Sequence, residues 1–187
     1  MSSKHEKGRQ HGSPEVKSKI ADKLIKSMNL SKSDVVLDVG SGDGYYSFRF
    51  ADHCGKVMAV DEYCEGLEGN FYAKSNIQTF CEDACQWFKN HDLVGVTHVF
   101  FSNSFHDMSC QDEILSVLSS KLHGGAHLDL IEFHPDTPFG PPKSIRFSKD
   151  EIRRKIEPYN FEMSSFIDLD THYFISFKKL ESNKGIG

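Results

Sequence analysis

Val35-Val36-Leu37-Asp38-Val39-Gly40-Ser41-Gly42-Asp43-Gly44 runs an apolar, β-branched stretch straight into three glycines at alternate positions. The apolar half reads as a strand buried on both faces. Glycine lets the chain turn tightly and pass close to a ligand with no Cβ in the way, so a small molecule is expected against this backbone. Beyond the turn, Tyr45, Tyr46, Phe48, Phe50 and Ala51 read as a helix that lies on the sheet.

The same alternation continues outward. Further strands are predicted over Val57–Val60, ending in Asp61, over Ile77–Phe80, leading into Cys81-Glu82-Asp83-Ala84, over Thr97–Phe101, and from about Ala126 to Phe133. Between the last two, Ser109-Cys110-Gln111-Asp112 resembles a capping box opening a helix with Ile114, Leu115, Leu118 and Leu122, which Gly124-Gly125 ends. Upstream, Ser13-Pro14-Glu15 is a helix start, with Val16, Ile20, Leu24 and Met28 as an apolar stripe. Alternating β and α units imply a parallel sheet with right-handed crossovers and chemistry at the carboxyl ends of its strands. The last third differs. Residues 134–147 hold four of the six prolines, Ser148-Lys149-Asp150-Glu151 restarts a helix with a capping box, and strands Phe161–Ile167 and Tyr173–Phe177 flank the polar Asp168-Leu169-Asp170-Thr171 as a hairpin. The expected fold is α/β, a Rossmann-like three-layer sandwich around a mostly parallel seven-stranded sheet with a C-terminal antiparallel hairpin.

Asp38-x-Gly40-x-Gly42-x-Gly44 resembles motif I of the class I S-adenosylmethionine-dependent methyltransferases, and the resemblance extends over residues 14–178. Gly140-Pro141-Pro142-Lys143-Ser144-Ile145-Arg146-Phe147 is similar to a subgroup of the type 11 methyltransferases, relatives of the quinone-biosynthesis methyltransferases. Asp61 stands where a dinucleotide fold places its ribose-binding acid. The resemblance puts Asp83 at the adenine amino group, and Glu62 and Ala84 are candidates beside the ring. Charge separates the possible cofactors. A dinucleotide pyrophosphate needs free backbone N–H groups, whereas S-adenosylmethionine brings a sulfonium and an ammonium and no phosphate. Asp38 and Asp43 suit the second, and Tyr45 breaks the Gly-x-Gly-x-x-Gly spacing of a nicotinamide site. The cofactor-binding expectation is therefore Asp38, Gly40, Ser41, Gly42, Gly44, Asp61, Glu62, Asp83, Ala84 and Ser102, with S-adenosyl-L-methionine bound and S-adenosyl-L-homocysteine as product.

Methyl transfer from a sulfonium depends mainly on position, with a base useful for some nucleophiles. His106, just past the fourth strand, is the candidate base, with Asp107 or another acid setting its tautomer. Asn103, His134 and Arg146 are candidate substrate residues, although Arg146 can equally pin its loop by binding backbone carbonyls. No metal site is expected. Residues 1–12 are read as a disordered polar tail, 13–180 as one methyltransferase domain and 181–187 as a second tail; His11 and Gly12 could reach the site. A net charge of −5 argues against nucleic acid as main partner, although residues 1–26 are locally basic. The five scattered cysteines read as reduced thiols in a cytoplasmic protein, with no membrane segment and either a monomer or a homodimer. The expected function is methylation of a small molecule; the alternative is a silent regulatory or adaptor protein that only binds the cofactor or its product.

Overall fold

The computed structural model describes residues 14–63 and 74–181. The predicted Ser13 cap, the terminal-tail residues 1–12 and 182–187, His11, Gly12 and the side chain of Val16 lie outside the described residues. Helix α1 (Pro14–Met28) is followed by β1 (Val35–Val39), α2 (Tyr45–Phe50), β2 (Lys56–Asp61), β3 (Ile77–Cys81), α3 (Ala84–Asn90), β4 (His98–Ser102), α4 (Gln111–Lys121), β5 (His127–Phe133), α5 (Lys149–Ile156), β6 (Phe161–Leu169) and β7 (His172–Lys179). The seven strands form one sheet in the order β3-β2-β1-β4-β5-β7-β6. The first five run parallel, and β7 lies antiparallel between β5 and β6. The order reverses between β1 and β4, and a ligand crevice forms outside the carboxyl ends at such a reversal.

Alternation along the central strands builds a core on each face. Leu37 and Val39, Val99 and Phe101, and Leu128 and Leu130 face Trp87, Phe88, Leu115, Leu118 and Ile152 of α3, α4 and α5. Val36, Val57, Phe100, Ile131 and Phe174 face Leu24, Ile25 and Met28 of α1 and Phe50 of α2. The α1 stripe predicted at Leu24 and Met28 is thus buried, with Ala21 and Ile25 beside it. Phe48 of α2 instead stays at the surface, with the Lys74 ammonium over its ring. Ser148 caps α5 in the predicted box: its Oγ accepts from Glu151 N at 3.3 Å, and Glu151 Oε2 accepts from Ser148 N at 2.8 Å. The hairpin turn is tighter than expected, because β6 extends to Leu169 and only Asp170 and Thr171 remain between the strands, Asp170 at φ 69°.

One polar pair stands out in the core, and two sequence expectations change. Strand β5 is central yet carries Asp129 in the core, 1% exposed; its Oδ2 lies 2.7 Å from Nδ1 of His98 on β4, and the His98 and His127 rings stack at 4.9 Å. The helix start at Ser109 falls one residue later, since Cys110 is the N-cap and makes no side-chain cap hydrogen bond. Its sulfur is taken: Cys85 of α3 and Cys110 form a disulfide. Cys81 is disulfide-bonded too, and among the described residues Cys54 is the free cysteine, with burial pushing its thiol up to about 11. The reading of the cysteines as reduced thiols therefore fails at Cys81, Cys85 and Cys110, and a cytoplasmic setting draws no support from them. Among the described residues no helix is long and apolar enough to cross a membrane.

The Cys85–Cys110 bridge closes a sequence separation of 25 residues. Chain-entropy arguments make such a link worth about 3 kcal/mol. Urea denaturation of the Cys85→Ser/Cys110→Ser double variant should show a loss of that order; an unchanged midpoint would mean that the link does not constrain the unfolded chain.

Candidate functional site

The turn after β1 is held from β2. Gly40 N and Ser41 N both donate to the Val60 carbonyl, at 2.8 and 3.1 Å. Gly42 N donates to Asp61 Oδ2 at 2.8 Å, and Asp61 Oδ1 accepts from Tyr63 N at 2.9 Å. Two glycines serve opposite purposes here. At Gly40 (φ 71°) an added Cβ would stand 2.5 Å from Cβ of Ser104, whose Oγ donates to the Val39 carbonyl at 2.7 Å. That glycine lets the segment after β4 close on the turn. At Gly42 (φ 57°) an added Cβ would meet nothing within 4 Å, so this side of the turn is open.

The charges around the turn are negative. Asp38 lies beneath it, 1% exposed, and accepts from Ser47 Oγ of α2 at 2.5 Å. Burial pushes the Asp38 carboxyl up to about 7; the Ser47 hydrogen bonds oppose this, while Asp61 and Asp43 add to it. Asp43 Oδ1 accepts from Tyr45 N at 3.2 Å, which directs it along the turn. A cation entering here would relieve that crowding, whereas a pyrophosphate would worsen it. Beside the turn, Ser41 Oγ and Asn103 Oδ1 are buried with no hydrogen-bond partner among the described residues. Asn103 follows β4 at φ 53°, its N–H donating to the Ile131 carbonyl at 2.9 Å. Buried polar atoms without partners are rare and call for a group to satisfy them.

At the carboxyl end of β3, Asp83 caps α3, its Oδ1 accepting from Gln86 N at 3.0 Å. Its Oδ2 makes no hydrogen bond among the described residues. Ala84 is buried beside it, Glu62 and Tyr63 are exposed after β2, and Ser102 ends β4 half-buried. The acids and glycines thus stand at the ends of β1, β2 and β3, with Ser102 at the end of β4. An open glycine turn, two orphaned buried polar atoms and acids that favour a cation fit S-adenosylmethionine.

A cleft of about 330 Å³ opens beside this region, lined by His106, Gln111, Ser144, Arg146, Phe147 and Glu151 among others. His106 is 8% exposed, and its Nδ1 lies 2.6 Å from Oε2 of Glu132 on β5, a carboxylate 1% exposed. Glu132 Oε1 also accepts from His106 N at 3.3 Å. The sequence reading gives this task to Asp107 or another acid; the other acid, Glu132, takes it, and Asp107 lies on the second nitrogen, with Oδ2 3.4 Å from Nε2. The signal for Glu132 is an acid on the otherwise apolar Leu128–Leu130 face of a buried strand, at its carboxyl end.

Arg146 serves its own loop. Its guanidinium donates to the carbonyls of Pro135, Thr137, Phe139 and Pro141 at 3.1, 2.6, 3.0 and 2.6 Å, with His134 further out at 3.4 Å. This is the loop-pinning role, and the proline segment becomes a fixed wall of the cleft. His134 turns to the hairpin, with Nε2 3.1 Å from Asp168 Oδ1, and is not among the cleft residues.

No family model matches the chain. Over 97 residues it is 36% identical to a probable cobalt-precorrin-6B C(15)-methyltransferase (decarboxylating) of Methanocaldococcus jannaschii, covering 52% of this chain and 51% of that one. The chain therefore spans about half the length of this curated relative. Among solved structures, a protein of Sulfolobus solfataricus assigned to the type 11 methyltransferases superposes with TM-score 0.72 at 21% identity, over 87% of this chain and 93% of that one. An S-adenosylmethionine-dependent methyltransferase from Aquifex aeolicus gives 0.71 at 22%, over 84% and 88%. The 1,6-didemethyltoxoflavin-N1-methyltransferase of Burkholderia thailandensis, solved with S-adenosylhomocysteine bound, gives 0.70 at 15%, over 89% and 79%. The fold is the one these methyltransferases share.

Two measurements test the turn. A non-glycine residue in the left-handed region costs roughly 1–2 kcal/mol. Gly42→Ala should lose about that much in thermal denaturation, and Gly40→Ala, which adds the collision with Ser104, about 3 kcal/mol or more. Equal losses would mean that Ser104 does not close on the turn. Asp38 holds its proton more tightly folded than unfolded, so stability falls as pH rises from about 4 to about 7 and flattens above that. Relative to Asp38→Asn, the wild type should lose on the order of 4 kcal/mol across this window. Parallel stability curves for the two proteins would show that Asp38 is ionised throughout.

Proposed function

We propose that the chain is an S-adenosylmethionine-dependent methyltransferase acting on a small-molecule acceptor. The observation that carries this reading is the acid-lined glycine turn, open at Gly42, with Ser41 Oγ and Asn103 Oδ1 buried and unpartnered beside it. In this assignment Asp38, Gly40, Ser41, Gly42, Gly44 and Ser102 surround the amino-acid and sulfonium end of the cofactor. Asp61 takes the ribose hydroxyls, while Glu62, Asp83 and Ala84 flank the adenine. Asn103 stands between cofactor and acceptor, and the acceptor lies in the cleft at His106. Arg146 acts on the acceptor only through the loop it pins, and His134 at most at the rim.

The cofactor brings a methyl group on a sulfonium, already activated toward displacement. What the protein adds is alignment, worth about 7–11 kcal/mol of barrier for a well-placed nucleophile. A cleft of about 330 Å³ suits a small acceptor. The cobalt-precorrin acceptor in the name of the M. jannaschii relative is not carried over, because the alignment covers half of either chain. No observation favours a binding-only adaptor.

Calorimetric titration with S-adenosylmethionine and S-adenosylhomocysteine tests the cofactor reading. Both should bind with micromolar affinity, and Asp61→Ala should weaken each at least tenfold, about 1.4 kcal/mol or more, since two hydroxyl hydrogen bonds to a charged acceptor are lost. If neither compound binds the wild-type protein, the reading is wrong.

A further inference from the structure

The buried pair beside the cleft says what kind of acceptor enters it, given the methyltransferase reading above. Glu132 takes His106 Nδ1 at 2.6 Å and the His106 backbone N–H at 3.3 Å, so ring and backbone are both anchored to β5. A carboxylate on Nδ1 fixes the tautomer with Nδ1 protonated and leaves Nε2 as the lone-pair nitrogen. His106 lines the cleft, and its Nε2 makes no hydrogen bond among the described residues, with Asp107 Oδ2 at 3.4 Å. A base with this support stands where an acceptor would lie. We propose that His106 and Glu132 form a proton-accepting dyad and that the methyl acceptor is a weakly acidic aromatic hydroxyl of the phenol class, whose proton passes to His106 Nε2.

The cleft discriminates among acceptors. A thiolate or a carbanion arrives without the proton, and a base would be idle. An aliphatic alcohol lies far above imidazole and gives up its proton only as the new bond forms, whereas a phenol, near 10, lies within a few units of it and is the better match to this base. A carboxylate- or phosphate-bearing acceptor would need a free cation, but the guanidinium in this cleft is spent on loop carbonyls. Glu151, which also lines the cleft, is an acid, as is Asp107 beside His106 Nε2. Ile145 and Phe147 supply the apolar wall on which an aromatic ring can lie.

The groups facing His106 set its titration. Glu132 comes from β5, Asp107 from its own segment, Arg146 and Glu151 from the loop and α5, and Tyr173 reaches Glu132 from β7. Burial lowers the imidazole, but the Glu132 hydrogen bond and charge outweigh it, with Asp107 helping and Arg146 opposing, and the net direction is up. Glu132 is itself raised by burial and held partly back by His106. The result is a base that holds a transferred proton more firmly than a free imidazole does. With the cofactor bound, the oxygen lone pair forms the O–CH₃ bond as the C–S bond breaks, its electrons remaining on sulfur. The hydroxyl proton ends on Nε2, where the Glu132 carboxylate balances the imidazolium.

The test uses the full chain saturated with S-adenosylhomocysteine and 4-nitrophenol as the acceptor probe. Nitrogen-15 NMR of the wild type should show His106 protonated on Nδ1 with Nε2 bare at high pH. In Glu132→Gln its titration midpoint should move down by about one unit or more, as expected when a paired carboxylate is removed. The phenolate absorption band of bound 4-nitrophenol should appear at a lower pH than in free solution, and His106→Gln should abolish that displacement while S-adenosylhomocysteine still binds. Retained S-adenosylhomocysteine binding with no displacement in the wild type, or an unmoved His106 midpoint in Glu132→Gln, overturns the dyad alone. Failure of S-adenosylhomocysteine to bind the wild type overturns the methyltransferase reading and the dyad with it.

Discussion

Two backbone N–H groups, of Gly40 and Ser41, converge on the single carbonyl of Val60, and the Gly42 N–H reaches the carboxylate one residue further on. These bonds join the end of β1 to the end of β2 and set the position of every other part of the site. They are possible because the two strands are parallel neighbours in register, with Val39 opposite Val60. They also commit the turn to left-handed glycines, since a chain following β1 straight on would not bring three N–H groups round to β2. Ser104 then closes on the turn from β4 against the missing Cβ of Gly40. That contact draws the segment carrying Asn103 and His106 to the same end of the sheet.

Two buried carboxyl groups in this frame do opposite things because their partners differ. Asp38 has a hydroxyl from Ser47 and acids nearby, so burial dominates and its proton is retained toward neutral pH. Glu132 has an imidazole, which shares the proton and gives the pair a use at the cleft. A third buried acid, Asp129, pairs with His98 toward the amino end of the strands, three residues before Glu132 on β5 and on the other face of the sheet, and is not among the residues lining the cleft. Position along the strand, not burial, separates a structural pair from one that can meet a ligand.

Much of this is legible from the sequence because the signals are local. A β-branched run followed by alternating glycines specifies strand and turn, and Ser148 three residues before Glu151 specifies a helix start. Asp61 and Asp83 stand out as candidates because Asp61 ends β2 and Asp83 comes two residues after β3. The partners that lie across the sheet are not legible. Glu132 meets His106 only through the adjacency of β4 and β5, and nothing near His106 in the chain announces it. Cys85 and Cys110 are 25 positions apart and meet because α3 and α4 both begin at the carboxyl ends of the sheet. Arg146 shows the converse: its residue type suggests an anion, but the prolines of residues 134–142 leave a run of carbonyls that ladder bonding does not satisfy, and the guanidinium satisfies them.

The central claim is that the turn at residues 40–44 holds a nucleoside-bearing cation between the ends of the parallel strands. A crystal structure of the chain grown with S-adenosylhomocysteine tests it most directly. The account predicts the ribose hydroxyls on Asp61, the adenine beside Asp83 and Ala84, and the amino-acid end over Gly40 to Gly42, with Ser41 Oγ or Asn103 Oδ1 gaining a partner. Ligand bound elsewhere on the molecule, with the glycine turn bare and both side chains still unpartnered, would contradict it.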